Sequence, residues 1–227
     1  MRPGNVESTQ SPASWWQRLL SAERRALCPQ LAADERGIWI AANAVARDID
    51  TPGMLDLVVG GGRKLSGDLH AEASNWPLRD DSVDHVLLQH AFEVAAERDA
   101  LLDEAVRVLK PEREIRLLFI GAWSWTRCRL QFRDSGAPPM FTPSSQHLLD
   151  ALVQRGCADV RMSRVEFDGE STAVIGAPPR FWSGVCLVEA RKRHELPNVR
   201  RLRARAPVVA TQPGWAAHPT SRSGLAA

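Results

Sequence analysis

The chain has 227 residues, is 44% hydrophobic and 25% charged, and carries a formal net charge of +2, which predicts one globular domain with a core of its own and no polyanion partner recruited by net charge alone. Its cysteines, Cys28, Cys128, Cys157 and Cys186, are far apart and form no Cys-x-x-Cys pair, which argues against zinc and against a secreted disulfide framework and suits a reducing cytoplasm. No apolar run approaches a membrane span and no apolar signal core opens the chain, so a soluble cytoplasmic protein without a membrane partner is expected.

Residues 1–12 read as a polar arm rich in breakers. Ser14 then caps a helix to about Leu31, with Trp15, Leu19, Leu20, Leu27 and Leu31 as its apolar members and the Trp15-Trp16 pair as a core or interface anchor. Gly37-Ile38-Trp39-Ile40-Ala41-Ala42 is a short apolar strand. After the turn Asp50-Thr51-Pro52-Gly53 comes a second strand, Met54 to Val59, ending in Gly60-Gly61-Gly62. Asp68 to Ser74 is an acidic connection.

The stretch from Asn75 to Ile120 is the most informative. Pro77 pushes Trp76 into an extended conformation, and Asp80-Asp81-Ser82 is turn chemistry. Val83 to Leu88 is nearly continuous apolar sequence, as expected of a strand covered on both faces. Asp99 opens a helix whose apolar positions, Leu101, Leu102, Ala105, Val106 and Leu109, recur at helical spacing, and Pro111 ends it. Ile115 to Ile120 is the next strand. Strand, helix and strand with short joints form a βαβ crossover, the unit of a parallel sheet.

Further on, Gly121-Ala122-Trp123-Ser124-Trp125 leaves that strand, and 126–141 is a basic connection carrying Arg127, Arg129 and Arg133. A helix from Thr142-Pro143-Ser144-Ser145 to about Arg155 ends at Gly156. Two more strands, Asp159 to Phe167 and Val185 to Ala190, form a closing antiparallel hairpin. From Arg191 the composition turns basic and then rich in Pro, Gly, Ser and Ala, as in a disordered tail. The expected organisation is an arm at 1–12, a domain at 13–193 and a tail at 194–227.

The segment Trp76-Pro77-Leu78, Ser82-Val83-Asp84, Gln89-His90 and Arg107-Val108-Leu109-Lys110-Pro111 resembles, in order and spacing, class I S-adenosylmethionine-dependent methyltransferases of the type 11 group. Glu112-Arg113 stands where that family has a glycine pair, and Trp123-Ser124-Trp125 is similar to a segment of a glycine-poor bacterial branch. The resemblance implies an α/β fold: a Rossmann-like, mostly parallel sheet flanked by helices and closed by an antiparallel hairpin. It also implies S-adenosylmethionine as cofactor, no metal, and an unidentified methyl acceptor. Two registers are open for the opening strands. Either MLDLVVGGGR is the family's first strand and glycine loop, or GIWIAA is that first strand and MLDLVV a later one. The ten residues from Arg63 to Glu72 are too few for the crossovers the first register needs, so the second is preferred. In it Ala41-Ala42-Asn43-Ala44 replaces the glycine loop, and Gly60, Gly61 and Gly62 either line the cofactor or make a plain turn. By spacing from Pro77, Glu72 and Ala73 fall where the family contacts the adenine ring. Gln89 faces the cofactor at a strand's carboxyl end, with Glu93 nearby at the pocket edge. His90, able to titrate near neutrality, is the candidate general base. Asp56 is a further candidate, for the ribose hydroxyls.

Two functions follow from different classes. One is a methyltransferase, which works mainly by positioning its reactants. The other is a methyltransferase-like scaffold without cofactor, binding a protein through its tryptophans, or a nucleic acid through the basic segment 191–205.

Overall fold

The computed structural model describes residues 15–31, 35–43, 53–60, 63–122, 124, 126–128, 140–141, 143–167, 173–177 and 184–194. Its elements, in chain order, are α1 (Trp15–Leu27), β1 (Gly37–Ala41), β2 (Met54–Gly60), β3 (Lys64–Gly67), β4 (Ala71–Glu72), β5 (Val83–Gln89), α2 (Ala91–Val94), α3 (Arg98–Val108), β6 (Leu109–Ile120), α4 (Ser145–Gln154), β7 (Cys157–Phe167), β8 (Ala173–Ala177) and β9 (Val185–Lys192). The polar arm and the tail of the sequence reading lie outside the described residues.

All five residues of β1 are buried because it is the central strand, parallel to β2 on one side and to β5 on the other. The strands form one sheet in the order β4-β3-β2-β1-β5-β6-β9-β7-β8. Its core, β2, β1, β5 and β6, is parallel, and antiparallel strands flank it on both sides. This is the expected Rossmann-like class. GIWIA is the opening strand, as the second register requires. The short span before Pro77 fits for a reason the spacing did not show: β3 pairs antiparallel with β2, so no crossover is needed there.

Side-chain alternation divides the core into two layers. Ile38, Ile40, Val86, Leu88, Leu117 and Phe119 face α3 and α4 through Leu101, Leu102, Leu148 and Leu152. Trp39, Ala41, Leu87, Leu118, Ile120 and Leu187 face α1 through Trp16, Leu19, Leu20 and Leu27. Positions 16, 19, 20, 23, 24 and 27 share one helical face, so Glu23 and Arg24 are buried along with the apolar residues. Trp16, fully buried, is the core anchor of the tryptophan pair.

α3 ends at Val108, sooner than its periodicity suggests, and β6 begins at Leu109 and runs through Pro111. Pro111 is tolerated because the β5–β6 register shifts between Val83 and His85, with Glu112 at φ 63°. A bulge spares the proline a ladder bond. The Trp76-Pro77-Leu78 turn is tied to α3: Arg107 donates to the carbonyls of Leu78 (2.9 Å) and Trp76 (3.2 Å), and pairs with Asp80 and Glu104. Arg107 holds the Glu104 carboxyl below the usual carboxylate range, and that carboxylate accepts the Trp76 N–H at 2.7 Å.

Gly67, at φ 145°, is where the β2–β3 hairpin needs glycine, since a Cβ there would lie 2.2 Å from the Asp56 carbonyl oxygen. Gly67→Ala is expected to destabilise the fold by about 2 kcal/mol or more. Urea unfolding measures this, and an unchanged midpoint would show that the hairpin yields.

Candidate functional site

The order of the sheet reverses at β1, so the crevice of an open α/β sheet belongs between the carboxyl ends of β1 and β5. There the backbones of β1, β5 and β6 stay bonded one residue past the ladder. The Ala42 N–H donates to the Gln89 carbonyl at 2.9 Å, and the His90 N–H donates to the Leu118 carbonyl at 3.0 Å. Ala41 and His90 form an antiparallel bridge. His90, in the left-handed region at φ 55°, turns the chain from β5 directly into α2.

The polar side chains at this end are bonded to one another and to α1. Gln89 accepts the Trp39 indole N–H at 2.9 Å and donates to the Leu20 carbonyl and to Glu23, both at 2.8 Å. His90 bonds Glu93 through Nδ1 at 2.7 Å and Glu23 through Nε2 at 3.0 Å. Trp16 lies against the imidazole with ring centroids 5.0 Å apart. The Glu93 carboxylate also accepts the Ile120 N–H at 3.2 Å, and Arg127 Nη1 stands 3.9 Å from its other oxygen. Glu23, Gln89, His90 and Glu93 are all fully buried.

Burial alone would lower the His90 pKa, but the carboxylates of Glu23 and Glu93 outweigh it and push it up to about 10. Burial raises the Glu93 carboxyl, and His90, the Ile120 N–H and Arg127 pull it back. With its pKa raised in this way, the ring favours its protonated form at neutral pH, with Nδ1 against Glu93 and Nε2 against Glu23. Such a group has no lone pair for a substrate proton at neutral pH and no exposed atom to offer one. The general-base role expected of His90 is not supported by this geometry. Gln89, expected to face a cofactor, is likewise spent on Trp39, Leu20 and Glu23.

The remaining candidates lie on the β2–β4 flank of the same edge. Gly60 ends β2 opposite Lys64, while Gly61 and Gly62 lie outside the described residues. Glu72 is exposed in β4, also opposite Lys64. Ala73 is fully buried, its N–H donating to the Arg63 carbonyl at 2.7 Å. Asp56 points to α1 and pairs with Arg24 at 2.6 Å, so it is not at the rim. Arg63 pairs with Glu97 at 3.2 Å, tying the hairpin to the start of α3. Trp123 and Trp125 lie outside the described residues. Among the described residues no His/Cys/Asp/Glu group suits a metal ion, and no helix is long and apolar enough to cross a membrane. Sequence reasoning missed Glu23 and Trp39, whose signals were a helical face shared with Trp16 and Leu20 and a place on the strand face of Leu87.

The charge assignment sets a pH dependence. With an ordinary pKa of 6.5 in the unfolded chain and about 10 in the fold, the stabilisation by the His90 imidazolium is complete below about pH 6.5 and is lost as pH rises toward 10. Because the chain has no tyrosine, little else titrates in that range apart from cysteines and lysines. Stability should fall by about 1 kcal/mol per pH unit between pH 7 and 10, and the His90 ring should remain doubly protonated by NMR at pH 8. A neutral ring at pH 8 would overturn the assignment.

Residues 31–115 match the model of a protein family described as a methyltransferase domain. Among solved structures, the chain is similar to a SAM-dependent methyltransferase of Thermotoga maritima, at 15% identity and TM-score 0.56 over 78% of this chain and 92% of that one. A SAM-dependent methyltransferase of Archaeoglobus fulgidus aligns at 15% identity and TM-score 0.56 over 78% of this chain and 94% of that one. A Haloferax volcanii methyltransferase complex with the activator Trm112 aligns at 22% identity and TM-score 0.50 over 76% and 77% of the two chains. Curated proteins yield no match to this chain.

Proposed function

We propose that this chain, a member of the class I Rossmann-like methyltransferase family, is an S-adenosylmethionine-dependent methyltransferase that holds its cofactor on the β2–β4 flank of the carboxyl edge. The observation that carries this reading is the reversal of the sheet at β1, with the matched segment 31–115 laid across it and Glu72 and Ala73 at the flank. The cofactor, when bound, supplies an electrophilic methyl group. The chain's residues fit it on one side. Gly60 presents backbone without a side chain, Glu72 offers an exposed carboxylate for amino or hydroxyl hydrogens, and Ala73 closes the floor. On the β1–β5 side Gln89 and His90 offer it no free polar atom, being bonded within the protein. The chain's contribution is then positioning, with His90 and Glu93 fixing the edge on which the ligands rest.

A second reading is favoured by this internal bonding of Gln89 and His90. With Gln89 and His90 each bonded to Glu23, the protein keeps the fold without the cofactor and serves as a binding scaffold. One titration separates the two. Calorimetry with S-adenosylhomocysteine should give saturable binding, and Glu72→Ala should weaken it by about tenfold, the cost of a lost charge-assisted hydrogen bond. No heat and no thermal shift at millimolar ligand would select the scaffold.

A further inference from the structure

The start of α3 and Phe141 border an open cavity of about 430 Å³, within the usual size of small-molecule sites. Its floor is the buried Phe92, and its wall is Phe141, which is 46% exposed. The Phe141 N–H donates to the Glu93 carbonyl at 2.8 Å, so the ring's backbone is pinned to α2. Arg98 lies with its guanidinium 4.0 Å from the centre of the Phe141 ring.

The ions of this cavity are unevenly committed. Glu97 is paired with Arg63 at 3.2 Å, and Asp99 with Arg155 at 3.1 Å. Among the described residues, Arg98 has no carboxylate partner and its buried Nε has no hydrogen-bond acceptor. A buried donor left over in this way calls for a partner. His147 adds a second nitrogen-bearing side chain to the lining. A guanidinium stacked on a ring keeps its N–H edge free, and that edge matches an oxyanion in a bidentate pair. In the larger cleft at the opposite edge, about 550 Å³, Arg107, Lys192 and Arg155 are paired with Asp80, Asp81 and Asp103, and Arg193 is exposed at the rim rather than stacked on a ring.

We propose that this cavity binds a small ring-bearing carboxylate, with Arg98 taking the carboxylate and Phe141 and Phe92 packing the ring. Its use as the methyl acceptor's pocket rests on the methyltransferase reading; the binding itself does not. The test is calorimetry on the full chain with benzoate, its neutral isostere benzamide, and acetate. Benzoate should bind saturably, with benzamide and acetate about tenfold weaker or more. Arg98→Gln and Phe141→Ala should each lower benzoate affinity about tenfold, with the melting temperature checked alongside, and Arg98→Lys should fall between because it keeps charge but loses the planar fork. Equal binding of benzamide and benzoate, absence of benzoate binding, or full affinity in folded Arg98→Gln overturns the proposal. Parallel titration with S-adenosylhomocysteine keeps the two readings apart. Benzoate binding without it leaves the pocket and removes its acceptor role, and the reverse result removes the pocket and leaves the methyltransferase.

Discussion

A protonated imidazole held between two buried carboxylates sets the position of α1, and through it one entire layer of the core. Apolar contacts such as Trp16 and Leu20 on Leu87 and Leu118 would survive a small slide of the helix. The bonds from Glu23 to His90 and Gln89 would not, because a step of one residue rotates a helical side chain by about 100°. A buried ion cluster adds little net stability over a well-packed apolar one, but an unpaired member costs about 3–5 kcal/mol. The neighbouring residue supplies a second pin, since Arg24 reaches Asp56 on β2 and stacks over Trp39. Two adjacent positions on one helix thus fix its register against two strands.

The same cluster decides the chemistry of the sheet's carboxyl edge. In an open α/β sheet, the strand ends at the reversal point diverge and leave a crevice. Here the left-handed His90 keeps β5 bonded to β1 and β6 beyond its last ladder residue. Polar atoms that could have met a ligand meet each other instead.

Much of this architecture was legible in the sequence because it rests on local rules. The apolar run of β5 and the turn at Pro77 follow from elementary sterics and burial, and the helix of 145–154 ends at Gly156, which takes φ 82°. Even the register of the first strands could be argued from the few residues available for a crossover. What stayed hidden depends on partners distant in sequence. His90 reads as a titratable group at a strand end until its bond to Glu23, 67 residues earlier, is seen. Glu23 and Arg24 look like solvated charges when only apolar letters are counted on α1. Pro111 marks a helix stop, as it should, but a bulge lets it stand inside β6, and no pattern in β6 alone announces the bulge.

The residues that carry the family resemblance are largely those that hold the fold. Arg107 binds the carbonyls of the Trp76-Pro77-Leu78 turn, and Lys110 pairs with Asp84 at 2.9 Å across β5 and β6. Their presence therefore follows from the architecture whether or not a reaction takes place, and function has to be argued from what the fold leaves over. A binding site needs polar atoms that the protein has not already satisfied. At the centre of the edge, Gln89 and both nitrogens of His90 are satisfied internally. On the flanks, the exposed carboxylate of Glu72 and the Arg98 guanidinium have no such partner among the described residues. The two flanks thus differ in sign, Glu72 carrying a negative group and Arg98 a positive one, on either side of a centre whose polar side chains the protein uses to hold itself together.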